Sequence, residues 1–141
     1  MVKVAIDVMG ADNGVTPIVE GIMQALKTRD FNAVIVGDEA QITPLIPSSL
    51  KNRVEIVHCT DYIRMEESAS SATKRTESSI FKAIELLRNG DVSALVSPGH
   101  SGATMSLATL KIGRIKGISR PAICTIMPNI TDTPSVILDA G

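Results

Sequence analysis

Short apolar runs alternate with helix-forming segments four times along the chain, and this alternation limits the folds available to it. The four runs are residues 2–7, 31–36, 53–57 and 92–96. Segments with helical patterning follow them, at residues 16–26, 39–46, 79–88 and 102–112. Strands that alternate with helices are typical of a parallel sheet with helices on both faces. The sequence therefore predicts an α/β fold with three layers, αβα.

The last two apolar runs, residues 122–126 and 134–138, are joined by a connection with no helix. Because a parallel crossover needs a longer connection, we expect this pair to be antiparallel and the sheet to be mixed. Residues 58–75 show no clear period and are rich in Ser, Thr and charge, which predicts a mobile excursion. We expect residues 1–141 to form a single domain, and because the chain stops where its last strand ends, we expect an N-terminal fragment of a longer protein.

Composition argues against several classes of function. Trp is absent and aromatic residues make up 2% of the chain, which disfavours stacking of nucleic-acid bases, so we expect no nucleic-acid partner. Cys59 and Cys124 each lie in an apolar, strand-like setting, which favours reduced core thiols. The two cysteines and two histidines show no zinc spacing, so no metal is expected. The chain opens on a strand pattern without a signal peptide or a long apolar span, which predicts a cytoplasmic protein.

Three Gly-containing loops follow predicted strands and mark the expected ligand site. In open α/β sheets, ligands bind beyond the carboxyl ends of the strands. The loops at that edge are residues 7–13, 97–102 and 138–141, and each places Gly beside polar groups. We therefore expect the candidate site to be built from these loops.

The loop at residues 97–102, Ser-Pro-Gly-His-Ser-Gly, has the strongest signal of the three. Gly99 and Gly102 permit tight turning and close approach, and the helix that follows offers unpaired N–H groups at its positive end. The hydroxyls of Ser101 and Thr104 add possible donors. The loop matches neither a Walker A loop nor a dinucleotide fingerprint. It is either an anion-binding site or a structural turn.

Asp7 and His100 also allow two interpretations each. Asp7 ends the first strand and is followed by Asp12 and Asn13, so it either serves turn chemistry or orients a ligand or a lysine. His100 is either a solvent-facing loop residue or a hydrogen-bond partner of a ligand. No Gly-x-Ser-x-Gly elbow is present that would make the neighbouring Ser101 a nucleophile.

Basic residues are concentrated in two places. Lys74 and Arg75, just before Ser78, are either the solvated start of a helix that Ser78 caps or a mobile basic arm that closes on an anion. From residue 92 to residue 131 there is no Asp or Glu. The cations of that stretch are Lys111, Arg114, Lys116 and Arg120. They form either a solvated helix end or a docking surface for phosphates or an acidic partner.

Five blocks of the sequence together resemble one known family. They are residues 5–13 (Ala-Ile-Asp-Val-Met-Gly-Ala-Asp-Asn), 35–38, 96–103, 113–122 and 136–141, in the right order and spacing along all 141 residues. The chain is similar in these blocks to the bacterial PlsX family, the acyl-carrier-protein:phosphate acyltransferases. The resemblance implies transfer of a fatty acyl group from acyl carrier protein to inorganic phosphate, without a cofactor. The product, acyl phosphate, feeds phospholipid synthesis.

The resemblance also implies a fold, partners and site residues. The fold is similar to that of isocitrate and isopropylmalate dehydrogenases, and family members are typically homodimers that contact the membrane surface peripherally. The implied catalytic residues are Asp7, Asn13 and Lys74. The implied phosphate-binding or acyl-phosphate-binding residues are Gly10, Arg75, Ser78, Gly99, His100, Ser101, Gly102 and Ala103. Docking of acyl carrier protein is expected at Lys111, Arg114, Lys116 and Arg120.

Several departures from the family pattern are visible. The family usually has Ser-Ala-Gly-Asn-Thr-Gly where this chain has residues 97–102, so His100 replaces an amide side chain and Pro98 is added. Val8 and Ala11 stand where the family usually has Ala and Gly. Family chains are more than twice as long. Two alternatives remain: another enzyme of this fold class, such as a phosphotransacetylase, and a non-catalytic module that binds phosphate or a carrier protein.

Overall fold

A four-stranded parallel sheet forms the centre of the protein, for which a computed structural model describes residues 1–130 and 133–138. Its strand order is β3-β2-β1-β4. The strands are β1 (Lys3–Asp7), β2 (Asn32–Gly37), β3 (Val54–His58) and β4 (Ala94–Val96). The helices are α1 (Val15–Thr28), the short α2 (Glu39–Ile42), α3 (Ser79–Asn89) and α4 (Ser101–Lys111). The predicted α/β class with a mostly parallel sheet is confirmed.

Helices cover both faces of this sheet, because alternate residues of each strand point to opposite sides. On one face, Ile6 and Ile35 pack with Val19 of α1 in a buried cluster. On the other face, Ala5 packs in a second cluster with Ala83 of α3. Helix α4 packs beside α3 in a third cluster. This arrangement is consistent with three αβα layers.

The last two strands, β5 (Cys124–Met127) and β6 (Ser135–Leu138), pair antiparallel as predicted. The expected mixed sheet is wrong for the residues described, since β5 and β6 bond only to each other and form a separate two-stranded sheet. In this pair only the backbone groups that face the partner strand are bonded, and among the described residues both outer edges are open. All their residues are exposed, and Cys124 is therefore a surface thiol rather than the core thiol that the sequence predicts. Cys59 is buried, as expected.

The stretch predicted as a mobile excursion contains ordered elements. Residues Ala69–Thr73 form a 3₁₀ helix, and Asp61 makes an isolated bridge with Ser78 just before α3. Helix α3 ends at Gly90, whose φ of 81° is the left-handed conformation that favours glycine at a helix end. Among the residues described, no helix is both long and apolar enough to span a bilayer.

Gly37, the last residue of β2, occupies a position with no room for a side chain. A Cβ there would lie 2.6 Å from Val8 Cγ2 and 3.2 Å from Ile42 Cδ1. We expect Gly37→Ala to lower the free energy of unfolding by about 1–3 kcal/mol, as overpacked core substitutions do. Gly21, on the exposed face of α1, has no atom within 4 Å of such a Cβ. Gly21→Ala should instead raise the free energy of unfolding by roughly 0.5–1 kcal/mol. Equal urea midpoints for the two variants would contradict the close packing around Gly37.

Candidate functional site

The loops that follow β1 and β4 meet at the carboxyl edge of the sheet, because these two strands are neighbours in it. Ser97 Oγ, after β4, donates to Asp7 Oδ2 at 2.9 Å. Gly99 lies against the backbone of Met9 in the first loop. The sequence predicts this meeting of two loops. Of the third predicted loop, 138–141, all residues after Leu138 lie outside the described part of the chain.

Asp7 is buried beneath these loops, with 2% of its surface exposed. Its other carboxylate oxygen accepts from the Met9 amide at 3.1 Å. The buried Ser79 hydroxyl lies close enough to affect the carboxyl, but its geometry makes no hydrogen bond with any described residue. Burial raises the pKa of this carboxyl above its ordinary value, and the polar contacts of Ser79, Met9 and Ser97 only partly oppose that rise. No lysine is among its hydrogen-bond partners in the described residues. Asp7 therefore holds Ser97 and the first loop in place rather than facing solvent.

Glycine is favoured at position 99 by the close approach of the two loops and not by an unusual backbone angle. A Cβ on Gly99 would lie 3.2 Å from the Met9 carbonyl oxygen and 3.6 Å from Asp7 Oδ2. The Gly99 amide donates to Ser97 Oγ at 3.2 Å. Ser97 thus links the buried carboxylate to the loop. Its role was missed at the sequence level because serine is common in any loop.

His100 is the N-terminal cap of α4, a role that neither sequence interpretation included. Its Nδ1 accepts from the Ala103 amide at 3.2 Å, and its Nε2 lies 2.9 Å from the Glu67 carbonyl oxygen. An acceptor at Nδ1 and a carbonyl partner at Nε2 are compatible with the neutral ring protonated on Nε2. The ring is half-buried and both nitrogens are engaged. In this structure His100 is neither a solvent-facing residue nor a free ligand donor.

The backbone donors of the loop are fewer than the sequence suggests. The Gly99 and Ala103 amides already have protein acceptors. Within the described residues, the amides of Ser101 and Gly102 have none, and they lie in the first turn of α4. The Thr104 hydroxyl points back to the His100 carbonyl at 3.2 Å. The positive end of α4 thus offers two adjacent free donors to an anion.

Of the two residues in the predicted basic arm, Arg75 is not free to close on an anion, because two carboxylates hold it. Its Nε and Nη2 donate to Asp61, and its Nη1 lies 2.9 Å from both oxygens of Glu67. These pairs raise the pKa of Arg75, with Asp61 as the main cause. Bonds from the Arg64 amide first, and then from Arg75, lower the pKa of Glu67. The phosphate-binding role expected of Arg75 is not supported by this geometry.

The remaining predicted residues differ in their exposure and in their contacts. The hydroxyl of Ser78 is buried and donates to the Arg75 carbonyl at 2.8 Å, so it neither caps α3 nor faces a ligand. Lys74 is exposed, with no side-chain bond among the described residues. Asn13 is exposed on the first loop. Gly10 lines a cavity of about 420 Å³ together with Tyr62 and Arg64.

The four cations after residue 110 differ in how far they are engaged. Lys111 Nζ lies 4.4 Å from the centre of the Phe81 ring, a cation–π contact that ties it to α3. Arg114 donates to the Ser119 carbonyl. Lys116 and Arg120 are exposed and have no such partner in the described residues. Arg114 and Arg120 also border a groove of about 530 Å³ that the apolar side chains of Met105 and Leu110 line, which sequence charge alone does not reveal.

Comparison with known proteins places this site in a family. Residues 2–141 match the model of the family described as fatty acid synthesis protein. The chain belongs to this family. It is 81% identical over 141 residues to the phosphate acyltransferase of Helicobacter hepaticus, 60% identical over 141 residues to that of Wolinella succinogenes and 57% identical over 141 residues to that of Helicobacter pylori. Each match covers all of this chain.

The chain spans about two-fifths of the length of these relatives, between 41% and 43% of each. Both residues with free amides, Ser101 and Gly102, lie inside the matched region. The residues that sequence reasoning did not single out, Ser97, Glu67 and Ser79, lie inside it as well. The described site therefore lies within the region that the family model matches.

Proposed function

We propose that the full-length protein, with this chain as its N-terminal domain, transfers a fatty acyl group from acyl carrier protein to inorganic phosphate. The observation that carries the proposal is the 81% identity to a protein named phosphate acyltransferase along the whole chain. The family description, fatty acid synthesis protein, agrees with an acyl substrate. The acyl phosphate formed would serve phospholipid synthesis.

The chemistry needs no protein nucleophile. A phosphate oxygen attacks the thioester carbonyl carbon, a C–O bond forms, the C–S bond breaks and the carrier leaves as a free thiol that takes up the proton phosphate loses. The protein has to hold phosphate beside the carbonyl and stabilise the negative oxygen of the intermediate. The free amides of Ser101 and Gly102, at the positive end of α4, suit either anion. This is the geometric support for the proposal.

The other expected residues have different places in this proposal. Asp7 acts by holding Ser97 and the first loop, as its burial and contacts support. Lys74 and Asn13 are exposed, and they remain proposed contacts for phosphate or the acyl thioester. Acyl carrier protein, which is acidic, is proposed to dock on the exposed Lys116 and on Arg120, which borders the apolar groove.

The finer structural expectations also belong to the proposal. We propose a dehydrogenase-like arrangement of the sheet, a homodimeric full-length protein and peripheral contact with the membrane from the cytoplasm. The exposed apolar side chains on α4 and in the segment after it support burial of this face in the full-length assembly. They include Leu110, Ile112, Ile115 and Ile118.

The test is release of carrier thiol by the full-length protein incubated with acyl-acyl carrier protein. We expect free thiol to appear only when inorganic phosphate is present, and hydroxylamine to trap the acyl phosphate as a hydroxamate. Sulfate, a matched anion that is a far weaker nucleophile, should release none. Thiol release without phosphate would indicate thioester hydrolysis rather than acyl transfer. No release from an intact carrier substrate would leave a binding module without transferase activity.

A further inference from the structure

The His100 ring joins two segments that are far apart in sequence. Through Nδ1 it caps the first turn of α4, and through Nε2 it reaches the carbonyl of Glu67. That carbonyl belongs to a well-anchored residue. The carboxylate of Glu67 accepts from the Arg64 amide at 2.9 Å and from Arg75 at 2.9 Å. The ring therefore has a fixed partner on its far side.

This second bond favours the tautomer in which Nδ1 can cap the helix. A neutral imidazole has one donor and one acceptor nitrogen. A carbonyl accepts only, so the bond to Glu67 places the proton on Nε2 and leaves the Nδ1 lone pair for the Ala103 amide. The contacts with Glu67 and Ala103 therefore favour the same tautomer, and the bond to Glu67 supports the cap. Histidine is not among the common N-cap residues, whose side-chain oxygens need no such partner.

The His100 ring occupies the space beside Gly102 that a larger side chain there would fill. A Cβ added to Gly102 would lie 3.1 Å from His100 Cε1 and 3.2 Å from the Ala69 Cβ. Glycine at this position thus allows the imidazole to sit between α4 and the 3₁₀ helix Ala69–Thr73. Glycine at position 102 is therefore explained by the space that the ring needs and not by an unusual backbone angle.

We propose that His100 is a positioning residue for phosphate, a role that rests on the proposed function and goes beyond it. By capping α4 at Ala103, the ring fixes the direction of the two free amides, Ser101 and Gly102, on which the anion is held. Without the cap the first turn frays, and phosphate binding then has to order it again. The imidazole itself does not touch the phosphate.

Variants at position 100 separate this role from a merely structural one. His100→Ala removes the cap and should raise the phosphate KM about fivefold, the effect of losing about 1 kcal/mol of capping. The kcat and the KM for acyl-acyl carrier protein should stay within about twofold. His100→Asn restores a capping oxygen and should recover most of the phosphate affinity. His100→Gln, too long to cap well, should not.

The experiment combines steady-state kinetics of the full-length variants with equilibrium binding of inorganic phosphate by calorimetry. A fall in kcat alone, or a phosphate KM unchanged in His100→Ala, would overturn the proposal. If His100→Ala does not fold, the Asn and Gln variants decide it by the same comparison. If the wild type shows no phosphate-dependent thiol release, the proposed function fails. Calorimetry then still tests His100, because equal phosphate affinity in the wild type and the Gln variant, or no phosphate binding at all, would refute its positioning role.

Discussion

Replacing Asp7 by asparagine is expected to make the folded protein more stable at neutral pH. The carboxyl is almost fully buried, and its burial raises the pKa despite the contacts with Ser79, Met9 and Ser97. Asparagine keeps the shape, since its carbonyl oxygen can accept from the Met9 amide and its amide can donate to Ser97 Oγ. What it removes is the cost of carrying a buried negative charge.

The sign of the pH dependence follows from the direction in which burial moves the pKa of Asp7. The folded state binds the Asp7 proton more tightly than the unfolded state, whose pKa is close to the ordinary 3.8. The stability that the protonated Asp7 gives the wild type is therefore lost as the pH rises from about 3.8 through the raised pKa of the folded state. The advantage of Asp7→Asn should be absent below about pH 3.8 and complete above the folded pKa. Each tenfold tightening of proton binding by the folded state adds about 1.4 kcal/mol to that advantage.

Asp38, the cap of α2, offers a matched control of opposite sign. Bonds from the Gln41 side chain first, and from the Ala40 amide, lower the pKa of its exposed carboxyl. Asp38→Asn should thus lose stability at neutral pH and match the wild type at low pH. Urea midpoints of both variants between pH 3.5 and pH 8 provide the test. A destabilised Asp7→Asn at pH 7.5, with the Asp38 control behaving as stated, would show that the carboxylate contacts outweigh burial.

Burial patterns explain why the central fold is predictable from this sequence. Parallel strands covered on both faces appear as mostly apolar runs, and β1, β2 and β3 each begin and end within a residue or two of their predicted bounds. Helix α3 shows a clear apolar face, and Gly90 marks its end. The pairing of β5 with β6 follows from their short connection. Their separation from the central sheet leaves no local signal in sequence, because it depends on where the segment from α4 carries the chain.

The site is less predictable because its contacts are between side chains of unrelated segments. The sequence suggests that Arg75 is a free cation. Its ion-pair partners, Asp61 and Glu67, lie in a stretch without helical or strand periodicity, so their positions next to Arg75 cannot be predicted. The sequence predicts that His100 is a ligand or a surface residue. Its capping role is not visible there because the carbonyl that supports it, that of Glu67, is 33 residues away in the chain. The glycines of this loop predict the site better. Gly99 and Gly102 lie at its close contacts, where glycine is favoured by the limited space and not by an unusual backbone angle.

Substitution of Gly99 by valine is expected to reduce phosphate-dependent acyl transfer at least about 100-fold, the loss typical of a misplacement near 1 Å in a site. A Cβ at this position meets the Met9 carbonyl at 3.2 Å, and the branched side chain adds bulk toward Asp7. The Met9 backbone cannot retreat freely, because its amide is held by Asp7 at 3.1 Å. The loop of residues 97–102 must therefore move, and the first turn of α4 moves with it.

Gly21→Val is the matched control for this prediction, because it makes the same chemical change on the exposed face of α1, where no atom lies within 4 Å of an added Cβ. It should leave acyl transfer unchanged. Gly99→Ala, a smaller intrusion on the same carbonyl, should fall between the wild type and the valine variant and keeps the test informative if Gly99→Val does not fold. Both variants are compared with the wild type by thiol release at saturating carrier substrate and by circular dichroism. A folded Gly99→Val that retains more than a tenth of wild-type activity would show that the close approach of the two loops is not needed for catalysis.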